Sequence, residues 1–131
     1  MLESFEVSAV IPATPRQVYD AWLDGDRHAA MTGGAATGRP QVGAEHSAWD
    51  GYIIGRNIEL EPGRRILQSW RTTEFSEGSA DSLLEVVLGE IEGGTKLTLR
   101  HSEIPDGRAG SYKKGWTEHY FEPMTAHFGQ R

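Results

Sequence analysis

The sequence predicts an α+β fold: a curved, antiparallel six-stranded sheet wrapped on a long C-terminal helix, in the order β-α-α-β-β-β-β-β-α. Three observations predict it. Two short helical signals follow a first strand near the N-terminus. From residue 43 the hydrophobic period changes to two, through five strand-length stretches separated by turn signals. The tail then returns to helical spacing, with Trp116, Tyr120, Met124 and Phe128 recurring every four residues. An antiparallel sheet must cover its apolar face, and this tail is the one long element available for it.

Each element has a local cause. Residues 2–11 alternate, with Phe5, Val7 and Ala9 on one side, until Pro12 ends the strand. Thr14-Pro15-Arg16-Gln17 is a helix start: Thr14 caps, Pro15 loses nothing at the first helical position, and Gln17 completes a capping box. Val18, Ala21 and Trp22 share a face, and Asp24-Gly25 stops the helix. Asp26 is the expected cap of a second helix through Met31, closed by Gly33. The Gly- and Ala-rich stretch 33–44 has no apolar anchors and is expected to be a mobile loop. Strands are predicted over 44–49, 52–61, 65–74, 82–92 and 95–102. Their turns fall at Asp50-Gly51, Pro62-Gly63, residues 76–80 and Gly93-Gly94. Within the C-terminal helix, Pro123 removes a backbone donor and frees the His119 carbonyl, which demands a kink or a division into two segments.

Composition narrows the chemistry. The 131 residues suit a single domain over 1–131 with a real core. With no cysteine there are no disulfides, thiolate metal sites or cysteine nucleophiles. A formal charge of -6 disfavours nucleic acid and anionic lipid. Two glutamates among the first six residues speak against a signal peptide, and no apolar run approaches a membrane span. A cytoplasmic location is expected. Nucleotide-binding glycine patterns, a nucleophile elbow and a His-Glu-x-x-His motif are missing, so no cofactor, metal or catalytic residue is assigned.

Five ordered segments carry a family resemblance. They are Pro15-Arg16-Gln17-Val18-Tyr19-Asp20-Ala21-Trp22; Gly55 with Ile58-Glu59-Leu60-Glu61-Pro62; and Arg65-Ile66-Leu67-Gln68-Ser69-Trp70-Arg71. The last two are Gly94-Thr95-Lys96-Leu97-Thr98-Leu99-Arg100-His101-Ser102, and Gly115-Trp116 with Tyr120-Phe121-Glu122-Pro123-Met124. In this order they resemble the START-like (helix-grip, SRPBCC) superfamily, in the branch of the C-terminal domain of the activator of heat-shock-protein-90 ATPase. The resemblance implies the helix-grip fold and a cavity between sheet and helix. It implies no single activity, because members include hydrophobic-ligand carriers, polyketide cyclases and co-chaperone domains. The co-chaperone carries a separate N-terminal domain that this chain lacks, an expectation against its role.

Strand parity sketches the cavity. Ile66, Gln68 and Trp70 share one face, Ile54, Arg56, Ile58 and Leu60 another, and Leu97, Leu99 and His101 a third. Polar groups set among Trp and Leu describe a small-molecule pocket. The candidate lining is Trp22, Ile54, Arg56, Ile58, Gln68, Trp70, Leu99, His101, Trp116, His119, Tyr120 and Met124, with Gln68, His101 and His119 orienting the ligand. Alternatives stay open. A bulge would turn Arg56 to solvent, Gln68 could face water at an edge, His101 could be structural, and the tryptophans could be core. The expected function is binding a hydrophobic or amphipathic small molecule. The alternatives are a polyketide cyclase- or hydrolase-like enzyme with His101 or His119 as base, or a chaperone-linked interaction module. A homodimer is left open.

Overall fold

The computed structural model describes residues 2–129. The elements are β1 (Glu3–Ile11), α1 (Pro15–Leu23), α2 (Gly25–Thr32), β2 (Glu45–Ala48), β3 (Ile53–Glu61), β4 (Arg65–Thr72), β5 (Ser82–Ile91), β6 (Gly94–Ile104), α3 (Ala109–Trp116), a π-helical turn (Thr117–Phe121) and α4 (Glu122–Gly129). One sheet runs β1-β6-β5-β4-β3-β2, antiparallel throughout, so the first strand pairs with the last. Its inner face packs on α1 and the C-terminal helical segment through a core that includes Val18, Trp22, Ile66, Trp70, Leu84, Leu97, Leu99, Trp116, Tyr120 and Met124.

The helix starts follow local chemistry. Thr14 accepts from the Gln17 amide at 3.1 Å, and Gln17 Oε1 accepts from the Thr14 amide at 2.8 Å. The second helix begins earlier than expected. Asp24, not Asp26, caps α2: its carboxylate accepts from the Arg27 amide, while its own N–H closes α1 onto the Asp20 carbonyl. One residue serves both helix ends, so no linker separates them. Gly33 closes α2 in the left-handed conformation at φ 93°.

The stretch 33–44 is tied down by groups outside it. Thr37 and Ser47 exchange two backbone hydrogen bonds, and Gly43 and Ala44 bond to the backbone of Asn57. The Asn57 side chain donates to the carbonyls of both Arg39 and Gln41 at 3.0 Å. Anchors in another strand are invisible to a local reading of this loop.

Strand β3 corrects the parity. Its inner residues are Ile53, Gly55 and Asn57, and the register to β4 shifts between Asn57 and Glu59. This bulge returns Leu60 to the inner side, paired with Ile66. Counting back from Leu60 without the extra residue inverts everything before it. Ile54, Arg56 and Ile58 therefore lie on the outer face, exposed. Arg56 donates to the Gly43 carbonyl at 3.0 Å and sits 3.7 Å from the Glu45 carboxylate.

The C-terminal tail is helical throughout but not uniformly α. A four-residue repeat drifts by about 40° per step on an α-helix of 3.6 residues per turn. The wider π turn, in which the Glu122 N–H bonds the Thr117 carbonyl, takes up that drift. Trp116, Tyr120 and Met124 consequently all stay buried. Pro123, which has no N–H to give, stands just after the π turn.

Gly55 has no room for a side chain. A Cβ there would collide with the Ser69 carbonyl oxygen and with His46 Nε2, which itself donates to that carbonyl at 3.2 Å. Gly55→Ala is expected to destabilise the protein by about 2 kcal/mol or more. An unchanged urea midpoint for that variant would contradict the close approach of β4 and of the His46 ring to β3 at this position.

Candidate functional site

The interior behind the C-terminal segment is closed by paired polar groups. Trp116 donates its indole N–H to His101 Nδ1 at 3.1 Å. An indole only donates, so the His101 proton resides on Nε2, 2.9 Å from Ser82 Oγ, and Ser82 in turn donates to the Trp70 carbonyl at 2.7 Å. A second relay has the opposite tautomer. His28 Nδ1 donates to the Trp22 carbonyl at 2.8 Å, and its Nε2 accepts from the Tyr120 hydroxyl at 2.7 Å. A third joins Trp22 Nε1 to Gln68 Oε1 at 3.2 Å and Gln68 Nε2 to Asn57 Oδ1 at 2.8 Å. Burial pushes His101 down to about 3 and His46 to about 4, lowers His28, and raises Tyr120. His101 thus has both nitrogens engaged and is held neutral. It has no free lone pair with which to act as a base.

The rings leave little space between them. Centroids lie 4.7 Å apart for Trp116 and Tyr120, 5.2 Å for Trp22 and Tyr120, and 5.7 Å for Trp70 and Trp116. The remaining hollow, bordered by Trp22, His28, Gln68 and Leu84 among others, is about 10 Å³, the space of one water molecule. The expected cavity between sheet and helix is filled, because the large residues meant to line it also touch one another.

Space opens instead at one end of the same interface. A cleft of about 430 Å³ lies between the β2–β3 connection and the flank of α3 and the π turn. Its walls are Trp49, Tyr52, Ile53, Trp70, Tyr112, Trp116 and Tyr120, and Ser111, Lys114, Glu118 and His119 border it. This volume falls in the range of small-molecule pockets, roughly 300–1,000 Å³.

The sequence-predicted residues therefore separate. Trp70, Trp116, His119 and Tyr120 come together at the cleft. Trp22 and Gln68 reach only the small interior hollow. Leu99, His101 and Met124 are fully buried in packed core. Ile54, Arg56 and Ile58 stand outside on the opposite face of β3. Sequence reasoning missed Ile53, Tyr52, Tyr112 and Lys114, and expected Trp49, before the turn, at the rim and partly exposed; it is half-buried at the cleft. Correct parity would have found Ile53. The Asp50-Gly51 signal marked the turn but not its backbone: Trp49, Asp50 and Gly51 all have positive φ, at 52°, 59° and 88°.

Another hollow, about 540 Å³, lies on the outer face of the sheet. It is bordered by an alternating charge ladder: Glu6–Arg100 at 2.9 Å, Arg100–Glu85 at 3.3 Å, and Arg65 at 2.6 Å from both Glu85 and Glu59. These charges satisfy one another and present no unpaired group to a ligand. Among the described residues no cluster of three His, Asp or Glu side chains could hold a metal ion, and no helix is long and apolar enough to cross a membrane.

Comparisons with known proteins agree with this fold. The family model for "Activator of Hsp90 ATPase homolog 1-like protein" matches residues 12–129. The chain belongs to this family. It is 25% identical over 116 residues to the human activator of 90 kDa heat shock protein ATPase homolog 1, covering 88% of the chain and 34% of that protein. The chain thus spans about a third of the length of such curated relatives. It is similar to the crystal structure of an HSP90 activator from Plasmodium falciparum, at 25% identity and a TM-score of 0.87, covering 96% of both chains. It also resembles CalU16 from Micromonospora echinospora, at 24% identity and a TM-score of 0.79, over 97% of this chain and 76% of that one. The fold is the helix-grip fold of START-like proteins.

Two buried histidines, His28 and His101, and the half-buried His46, all held neutral, make the fold acid-sensitive. An unfolded histidine titrates near 6.5. Below that pH the unfolded chain takes up protons that the folded chain refuses until about pH 4 at His46 and about pH 3 at His101. This contribution is constant above pH 6.5 and erodes as pH falls, by up to about 1.4 kcal/mol per pH unit for each histidine. The urea midpoint is expected to drop between pH 7.5 and pH 5, above the range where ordinary carboxylates titrate. An equal midpoint at both values would refute the neutral assignments.

Proposed function

We propose that the chain acts as a cytoplasmic START-like domain that binds a small amphipathic molecule in the open cleft beside the C-terminal segment. The observation that carries this reading is a 430 Å³ space walled by aromatic rings and bordered by a few polar side chains. Burial against those rings supplies affinity at ~25 cal/mol per Å² of apolar surface, before the costs of association. Of the three polar groups expected to orient a ligand, Gln68 and His101 are consumed by internal hydrogen bonds. His119, at the cleft, takes that role together with Lys114 and Glu118.

Ser111 is exposed on α3 and borders the cleft, so a large ring there would occupy the space without disturbing the core. Titration with 8-anilinonaphthalene-1-sulfonate is expected to show saturable binding to the folded protein. Ser111→Trp is expected to weaken that binding at least about tenfold with an unchanged urea midpoint. Equal binding by this variant, or none by the parent protein, counts against the cleft.

One observation favours a second reading. The similar HSP90 activator from Plasmodium falciparum is matched over 96% of its chain, at single-domain length. A domain of this size could therefore stimulate an Hsp90-type ATPase by itself, using surface rather than cavity. Adding the purified chain to Hsp90 from the same organism is expected to raise ATP turnover under this reading, and Ser111→Trp is expected to leave the stimulation intact. Unchanged turnover at saturating chain disposes of it.

A further inference from the structure

Several features converge on Trp49. Its backbone lies in the left-handed region, as does that of Asp50, an arrangement that a bulky residue enters only at a cost. The surroundings enforce it. Asp50 exchanges two hydrogen bonds with Ala35, carboxylate to amide at 3.1 Å and amide to carbonyl at 3.0 Å, and the Tyr52 amide bonds the Trp49 carbonyl. Gly34 lies against the indole so closely that any Cβ there would collide with the ring. Two loops thus hold one side chain against the wall of the cleft.

That side chain has an unmet need. Trp49 Nε1 is shielded from solvent and finds no hydrogen-bond partner among the described residues. Trp22 and Trp116, equally large and close by, donate to Gln68 and His101. A buried donor left unpaired is destabilising, and natural structures keep few of them. The ring packed edge-on to this indole is that of His119, 5.4 Å away, an exposed side chain on the π turn. Irregular helical turns of this kind recur at functional sites.

We propose that Trp49 is a specificity-determining residue of the cleft. Its indole N–H donates to a neutral carbonyl-type oxygen on a ring-bearing apolar ligand that enters beside His119. The inference rests on the reading of the cleft as a binding site. A neutral acceptor is preferred to a carboxylate at this point because the indole donor is itself uncharged and sits in an aromatic wall, where an acceptor is largely stripped of water and an anion loses most by it. The aromatic walls suit a flat ring system by stacking.

An isosteric probe pair tests this without a charge difference: 2-acetylnaphthalene, which carries C=O, and 2-isopropenylnaphthalene, which carries C=CH₂ in the same place. The acetyl compound is expected to bind the native protein about five- to tenfold more tightly than its partner, beyond their difference in free-solution hydrophobicity. Trp49→Phe keeps an aromatic ring and removes the donor; it is expected to weaken both probes somewhat through lost contact area and to erase the preference between them. His119→Ala is expected to weaken both probes alike and so to leave their ratio unchanged. The Trp49 indole resonance, assigned by its loss in Trp49→Phe, is expected to move downfield in ¹H–¹⁵N spectra with the acetyl probe alone. Equal binding of both probes, or a preference that survives Trp49→Phe, overturns the role of Trp49 while leaving the cleft as a binding site. Binding of neither probe overturns both.

Discussion

The pairing of every large polar-tipped ring on the C-terminal segment with a partner on the rest of the protein governs this structure. Trp116 and Tyr120 are too bulky to leave exposed and too polar to bury without acceptors. Each finds one in a neutral histidine, His101 on β6 for Trp116 and His28 on α2 for Tyr120. The two histidines use opposite tautomers, each set by what its other nitrogen meets: a serine hydroxyl for His101, a carbonyl for His28. These four contacts determine how deeply the helical segment sinks into the curve of the sheet. Once it sinks that far, no room remains behind it.

The shape of the helical segment follows from the same requirement. A strict four-residue spacing is wrong for a straight α-helix, and Pro123 is wrong for its interior. The π turn answers both. It widens the helix by one residue where Tyr120 must stay under Trp116, and it places the irregular backbone just before the proline. One further consequence is positional. Glu118 and His119, on the exposed side of the π turn, stand over the cleft, where His119 meets Trp49.

Most of the fold was legible because its causes are local. The capping box at Thr14, the turn pairs at residues 50–51, 62–63 and 93–94, and the alternation of Ile66, Gln68 and Trp70 each act within a few residues. The errors came where the cause lay far away in sequence. The stretch 33–44 looked loose because its anchors, Asn57 and Ser47, belong to other strands. The parity of β3 failed at a bulge that leaves no mark in the hydrophobic pattern, so Ile54, Arg56 and Ile58 were assigned to the wrong face. The site was harder still. The aromatic residues were identifiable, but whether they line a space or fill it depends on ring-to-ring distances of 4.7 to 5.7 Å, which residue types alone do not set. Trp49 is legible as a rim residue, but nothing in a Trp-Asp-Gly string announces that its first residue will adopt positive φ.

Core and cleft share material, and this links folding to binding. Trp70, Trp116 and Tyr120 each pack in the core while also lining the cleft. A molecule in the cleft that binds only the folded chain adds RT ln(1 + [L]/Kd) to its stability, through walls that the buried histidines hold in place. Protonating His101 would require its Nδ1 to release the Trp116 indole, and protonating His28 would require its Nε2 to stop accepting from Tyr120. Acid strong enough to protonate this pair therefore loosens two of the cleft's walls from behind. Replacements at these wall residues will change stability and binding together. Ser111, Trp49 and His119, which lie outside the histidine relays, are the positions at which the two can be separated.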